Sequence, residues 1–409
     1  MLEFLTLKPE AFGLDISDLS LKIIKLKKKR GVLSLASFGE TEIKPGIIRA
    51  GEIKDEKKLA EIIKEAVKSV KGEKIKTKYV VASLPEEKAF LQVITLPKMS
   101  EEDLKSAVIY EAENYIPLPI DQVYLDSQIV PPVYNQLPER SEGWRSTNVL
   151  RPDHFDVLIA ALPKKTVDPY LSCLKSAGLK PGALEIESLA IGRALIKNEL
   201  TTSPVLLIDI GATRTSFIIF SGHALRFTSS IPVSSGNFTE IISKALGIDL
   251  AEAEKLKIKY GLEEKIQIKI KGEKIEKEKE KGKIFEALVP ALVDLIQQIK
   301  RYLNYYQTHA FHEHLPPTIF QENNSNKHKP QKVVGGLPPD GKGISKILLC
   351  GGGANLKGLC QLLSLELKIP VEIGNPWINI LIGEKKEAAE LSFEESLKYT
   401  TALGLALRE

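Results

Sequence analysis

The chain of 409 residues carries only three cysteines, Cys173, Cys350 and Cys360, and none stands at zinc-ligand spacing from another. So few unpaired thiols exclude a disulfide scaffold and point to a reducing compartment. No uninterrupted apolar run approaches the about 18 residues that span a bilayer. The opening stretch, MLEFLTLKPEAFGLD, lacks the basic segment and apolar core of a secretory signal. The closing TTALGLALRE is too short and too weakly basic for a membrane-surface helix. Net charge is scarce as well: +4, from 57 basic and 53 acidic residues, with no basic stripe of the kind nucleic acid requires. These absences predict a soluble cytoplasmic protein that binds no nucleic acid. With 43% hydrophobic residues, the length allows two to four domains of roughly 100–200 residues each.

What the chain does have is a repeat at long range. LDISDLSLKIIKL begins at Leu14 and IDIGATRTSFIIF at Ile208, and each reads as a β-hairpin with a tight polar turn. Asp15 matches Asp209 at an offset of 194 residues (209 minus 15), close to half the chain. Self-similarity of this kind predicts two related halves. Each hairpin sets one aspartate at the end of an apolar strand, beside a turn rich in backbone N–H groups. Such turns cradle phosphate oxygens, and a nearby carboxylate holds magnesium, usually through water. A single D-x-G-x turn would mean little; two copies facing each other would grip a polyphosphate from both sides.

A third segment, ILLCGGGANLKGLCQLLSLEL from Ile347, reads as a strand, three glycines and a helix. Gly351, Gly352 and Gly353 leave room for a flat or anionic ligand that a Cβ would block. In this order the three segments resemble the phosphate-1, phosphate-2 and adenosine motifs of the actin, sugar-kinase and DnaK-type chaperone superfamily. Within it the chain is more specifically similar to the PilM family of type IV pilus assembly. That likeness rests on residues 79–130, with LPKMS followed by EAENYIP, on LLIDIGATRTSFIIF, on ILLCGGGANLKGL, and on IPVEIGNPW before a closing ALGLALR.

The resemblance implies an α/β, actin-like (ribonuclease H-like, duplicated) fold, with two lobes around a cleft for ATP or ADP and magnesium. Asp15, Ser17 and Lys22 would belong to phosphate-1, and Asp209, Gly211, Ala212, Thr213 and Thr215 to phosphate-2. Gly351, Gly352 and Gly353 would form the adenosine motif, and Asp15 and Asp209 would hold magnesium through water. Glu254 and Lys257, at i and i+3 on one helix face, match an acidic–basic pair that contacts the nucleoside. Ser17 departs from the family's usual glycine; its Cβ restricts backbone approach while its hydroxyl offers a donor. No residue stands out as the activator of an attacking water. Nucleotide binding with slow or no hydrolysis is therefore expected.

Organisation follows the same resemblance. Residues 1–84 and 181–203 would form the first lobe (1A), with one helix at Asp55–Ser69. Residues 85–180 would form a 1C subdomain of the type shared with FtsA, reading strand–helix–strand–strand–helix–strand. Its first helix is capped by Ser100 with Asp103, striped by Leu104, Val108, Glu111 and Tyr115, and ended by Ile116-Pro117. Residues 204–409 would form the second lobe (2A/2B), with a charged β-hairpin near 263–283, a helix in which Pro290 marks a start or kink, and a flexible insertion near 309–343. The expected partner is a PilN-like inner-membrane protein whose short N-terminal cytoplasmic peptide docks between 1A and 1C. That would place the chain peripherally at the inner membrane, alongside other pilus assembly proteins, with homo-oligomerisation left open. Three alternatives stand beside this reading: an FtsA-like division protein, a small-molecule kinase of the same superfamily, and a GspL-type secretion protein.

Overall fold

A computed structural model describes residues 9–29, 32–131, 154–262, 274–309, 343–380 and 391–408. The chain opens with β1 (Phe12–Ile16), β2 (Ser20–Lys29) and β3 (Val32–Glu42). A ribbon of β4 (Ile48–Arg49) and β5 (Glu52–Ile53) leads to α1 (Glu56–Lys68), β6 (Lys71–Gly72) and β7 (Tyr79–Leu84). Next come β8 (Phe90–Pro97), α2 (Glu101–Ala112), β9 (Val123–Val130), β10 (His154–Pro163), α3 (Lys164–Ser176), β11 (Lys180–Ile186) and α4 (Glu187–Leu195). The second half supplies β12 (Thr201–Ile210), β13 (Thr215–Gly222), β14 (Ala224–Ile231), α5 (Ser235–Leu246), α6 (Leu250–Tyr260) and α7 (Lys274–His309). It ends with β15 (Lys346–Cys350), α8 (Leu359–Leu367), β16 (Val371–Ile373), α9 (Phe393–Ser396) and α10 (Thr400–Ala406).

Two sheets organise the two lobes. The first runs β11-β7-β1-β2-β3-β6 and the second β14-β13-β12-β15-β16. In each, an antiparallel hairpin is flanked by a parallel strand: β7 beside β1, and β15 beside β12. The duplicated sequence thus gives a duplicated topology. All five residues of β1 are buried, as a central strand of apolar residues requires.

Helices α4 and α10 lie where the lobes meet. Ala190 packs with Val81 and Leu405 against the first sheet, while Ile191 and Leu195 pack on Val205, Leu207 and Ile218 of the second. The crossing needs close backbone approach: a Cβ on Gly404 would run into the Ala190 carbonyl, and one on Gly13 into the Ala402 carbonyl.

A separate three-stranded sheet, β8-β10-β9, carries α2 on one face, with Ile94, Leu104, Val108, Ala112, Ile116 and Val157 in its core. The Ser100 side chain accepts from the Asp103 N–H at the start of α2. The helix closes at Ala112, earlier than expected, and Tyr115 is exposed while Ile116 takes the buried position. Helix α3 belongs elsewhere: Tyr170, Cys173 and Leu174 enter the core of the first sheet. The stretch 85–180 therefore divides, with Phe90 to Pro163 around the small sheet and α3 on the first lobe.

One expectation fails outright. Residues 274–283 are not the return strand of a charged hairpin but the opening of the 36-residue helix α7, which continues through Pro290. Lysine and glutamate are good helix formers and poor strand formers, and Glu–Lys pairs recur here at i and i+3. Residues 263–273, the 309–343 insertion beyond its two ends, and most of the loop at 130–152 lie outside the described residues.

Overpacking the α4–α10 crossing should be costly. We expect Gly404→Ala to destabilise the fold by about 1–3 kcal/mol, because the obstacle is backbone. Thermal unfolding checks this, and a variant as stable as the wild type would contradict the described crossing.

Candidate functional site

The β1–β2 and β12–β13 hairpins face each other across a cleft of ≈ 360 Å³. Strand register sets Asp15 opposite Lys22 and Asp209 opposite Ser216. Asp15 Oδ1 accepts from Ser83 Oγ at 3.1 Å, and its other oxygen lies 3.9 Å from Lys22 Nζ. The first turn is closed on itself. Ser17 N and Ser17 Oγ both donate to the Ser20 carbonyl at 2.9 Å, and Lys22 Nζ donates to Ser20 Oγ at 2.6 Å. The Ser17 hydroxyl is thus engaged within its own turn. Asp18 anchors that turn from below, accepting from Ala50 N and Gly51 N at 2.9 and 3.0 Å. In the second hairpin, Gly211 N donates to Arg214 O, and the Ser235 and Gly236 amides donate to the carbonyls of Gly211 and Ala212. Gly351 (φ 78°) closes the floor, where any Cβ would collide with the Asp209 carboxylate.

Of the residues read from sequence, Asp15, Ser17, Lys22, Asp209, Gly211, Ala212, Thr213, Gly351 and Gly352 line the cleft. Four do not. Thr215 is fully buried, and Gly353 is small because a Cβ would strike Ile210. Glu254 and Lys257 form an ion pair at 2.7 Å, but the lysine is buried and its ammonium donates to Ser235 O, Ser235 Oγ and Thr239 Oγ1. That pair ties α6 to the start of α5 rather than lining the cleft. The cleft also holds residues the sequence reading missed: Glu87, Glu187, Arg214 and Lys398. Arg214 reaches across the lobes to Glu87 at 2.8 Å. Glu187 follows β11 as Asp15 and Asp209 sit at the ends of β1 and β12, so a carboxylate at the end of an apolar strand was the available signal.

Charge in this cleft is unbalanced. Burial raises the Asp15 carboxyl, against the opposing pull of Lys22 and the Ser83 hydrogen bond. Burial, then the Asp15 charge, pushes Asp209 up to about 6. Burial and then Asp15 also carry Glu187 well above the usual carboxylate range. Three raised carboxyls in one cleft call for a cation. Among the described residues no three His, Cys, Asp or Glu side chains could hold a metal directly. Two carboxylates reaching an ion through its own water shell suit magnesium, which dehydrates reluctantly. The donor set therefore fits a hydrated magnesium ion beside an anionic ligand.

A second opening, a groove of ≈ 500 Å³, lies between the small sheet and both lobes. Its walls come from Tyr124, Leu125 and Ala160 of the small sheet, from Leu84, Leu171 and Leu184 of the first lobe, and from Phe220 and His223 of the second. At one end, Glu185 accepts two hydrogen bonds from Arg193, at 2.8 and 2.6 Å, with Arg408 at 3.4 Å. Arg226 of β14 pairs with Asp156 of β10 at 3.2 Å, fastening the small sheet to the second lobe. This opening is thus walled by the small sheet and by both lobes.

The raised Asp209 carboxyl gives a pH signature. A cation held through Asp209 would need it ionised, so affinity for a metal-bound anion should fall as pH drops through about 6. In the ligand-free protein the sign reverses. A raised carboxyl favours the folded state at low pH, so stability should decline as pH rises from about 4 toward 6. Calorimetry on wild type and Asp209→Asn checks this: the variant should bind at least about tenfold more weakly, without that part of the pH dependence. Identical profiles would remove Asp209 from the site.

The model of the type IV pilus assembly protein PilM family matches residues 13–319 and 338–409. A solved PilM-PilN type IV pilus biogenesis complex aligns with a TM-score of 0.69 at 27% identity, covering 98% of this chain and 99% of that one. The cell division protein FtsA of Neisseria meningitidis serogroup B is 27% identical over 165 residues, which is 40% of this chain and 39% of that protein. FtsA of Buchnera aphidicola is 25% identical over 214 residues, 50% of this chain and 45% of its own. The chain spans less than half the length of these two curated relatives. The fold is actin-like α/β, two lobes about a cleft with the small sheet inserted in the first. The chain belongs to the type IV pilus assembly protein PilM family.

Proposed function

We propose that the protein is a cytoplasmic ATP-binding component of the type IV pilus assembly machinery, held at the inner membrane by the N-terminal cytoplasmic tail of a PilN-like partner. The observation that carries this reading is the groove of ≈ 500 Å³, apolar along its floor and charged at one end, beside the small sheet. An extended peptide can fill such a groove, placing apolar side chains on Leu84, Ala160 and Leu184. The ordering cost then falls mostly on the tail, so affinity is modest. No described helix is long and apolar enough to cross a membrane, which is in keeping with attachment through a partner.

The cleft takes ATP or ADP with magnesium on this reading. Asp15 and Asp209 would hold the ion's water shell, Lys22 would serve the phosphates, and Gly351 and Gly352 would leave space for the nucleotide. The ion would supply positive charge beside the three raised carboxyls. Glu254 and Lys257 act indirectly, by fixing the second-lobe helices. The expectation of slow turnover rested partly on finding no group to orient a water. Glu187, which also lines the cleft, is the group this reading assigns to that role, and hydrolysis would then be limited by how the closed Ser17–Ser20 turn meets the phosphates. Contacts with other pilus assembly proteins, and self-association, are further parts of the proposal.

A synthetic peptide copying the partner's N-terminal tail should bind the wild-type chain, as followed by fluorescence anisotropy. Ala160→Arg should weaken it at least about tenfold, since a long charged side chain fills the groove, with an unchanged unfolding midpoint showing that its packing on the first-lobe core is tolerated. A variant that binds the peptide as tightly as wild type would rule out this groove.

A further inference from the structure

The net charge of the chain is small, yet folding gathers lysines at the end of the first lobe remote from the cleft. Strands β1, β7 and β11 all start at that end: Phe12 pairs with Val80, and Lys180 with Tyr79. Strand β2 runs the opposite way and brings its lysine-rich end to the same place. Residues 73–78 then cross beneath the strand ends. Glu73 N donates to Ala36 O, Ser37 Oγ donates to Glu73 O, and Thr77 Oγ1 donates to Glu10 O at 2.7 Å. Helix α1 ends there too, at Lys68. Strands of five and six residues put this end roughly 17–20 Å from the cleft.

Lys68, Lys71, Lys74, Lys76, Lys78 and Lys180 are all exposed on this end. Two of its acids are already engaged, Glu10 with Lys25 at 3.0 Å and Glu73 with Lys27 at 2.8 Å, which leaves Glu65 of α1 against six lysines. Lys27, with Lys25 and Lys76 adding, holds the Glu73 carboxyl below its ordinary range. None of the six lysines is ion-paired among the described residues. No stripe is visible along the sequence because the lysines come from separate segments that only the sheet brings together.

We propose that this lysine end rests on an anionic lipid surface. The end is built of strand termini and a crossing segment, with no groove to track a nucleic-acid backbone. Among the described residues it contains no arginine fork to read bases, and the one exposed aromatic there, Tyr79, lies under Lys180. Lysine ammonium groups are compact point charges, sufficient for headgroup phosphates and needing no defined geometry. The attraction reaches about 10 Å at 0.1 M salt. Ile75, the apolar residue of the crossing segment, packs into the first-lobe core and is unavailable for insertion. Adsorption is therefore electrostatic, and it is independent of both the nucleotide cleft and the peptide groove.

Co-sedimentation of the full chain with phosphatidylglycerol–phosphatidylcholine vesicles, without any partner protein, tests the proposal. The wild type should pellet at low ionic strength, stay in solution with pure phosphatidylcholine, and be released by salt. The triple variant Lys74→Glu, Lys76→Glu, Lys78→Glu should lose on the order of a hundredfold in affinity, with an unchanged unfolding midpoint. Should that variant fold poorly, the Lys→Gln triple serves, with a smaller loss expected. Wild type that ignores anionic vesicles, or variants that bind like wild type, would overturn the proposal. Tighter binding to duplex DNA than to vesicles of equal phosphate content would also overturn it, in favour of nucleic acid.

Discussion

Two carboxylates, the buried Asp15 and the half-buried Asp209, line one cleft between the lobes, and most of the molecule is arranged around that juxtaposition. Neither is readily ionised there without help, since burial raises both and the Asp15 charge raises Asp209 further. The strand ends that carry them belong to different lobes, so the shared field makes the lobes sensitive to whatever charge enters between them. Gly351 exists at its left-handed φ because Asp209 occupies the space its side chain would take. Lys22 and Ser83 offset part of the cost at Asp15. The remaining deficit is what a metal-bound anion would satisfy.

The same cleft is joined to the small sheet through very few residues. Pro85 and Glu87 line the cleft and lead directly into β8. Glu87 meets Arg214 of the second lobe, while neighbouring Glu86 accepts from the Ser188 amide at the start of α4. On the far side of the sheet, Val93 and Leu158 pack with Ala224, and Asp156 pairs with Arg226. The small sheet is thus fastened to both lobes, and its groove has a second-lobe wall at Phe220 and His223. Cleft and groove thus each take walls from both lobes.

The parts legible in the sequence were those encoded locally. An aspartate ending an apolar strand before a polar turn, repeated at half the chain, located both hairpins. Helix α1 is bounded by Asp55 and Ser69 as its capping residues suggest, because a cap is a short-range interaction. What escaped was built from distant segments. Lys257 is expected from the sequence to contact the nucleoside together with Glu254, but α5 covers it and supplies three acceptors. The lysine end needed strand order to be seen. The 274–283 stretch misled because its alternating charges suit a strand by period and a helix by propensity, and propensity prevailed in the long helix. Glu187 passed unnoticed since a single glutamate opening a helix is common, and only the fold turns it toward Asp15.

The central claim, that Asp15 and Asp209 share one hydrated metal ion beside a bound nucleotide, is tested most directly by locating that ion. Crystals grown with a non-hydrolysable ATP analogue and manganese in place of magnesium would reveal it by anomalous scattering. The account predicts one manganese peak between the two hairpins, with both carboxylates reaching it through water. A manganese ion bound away from both aspartates, or a nucleotide seated outside the cleft, would contradict it.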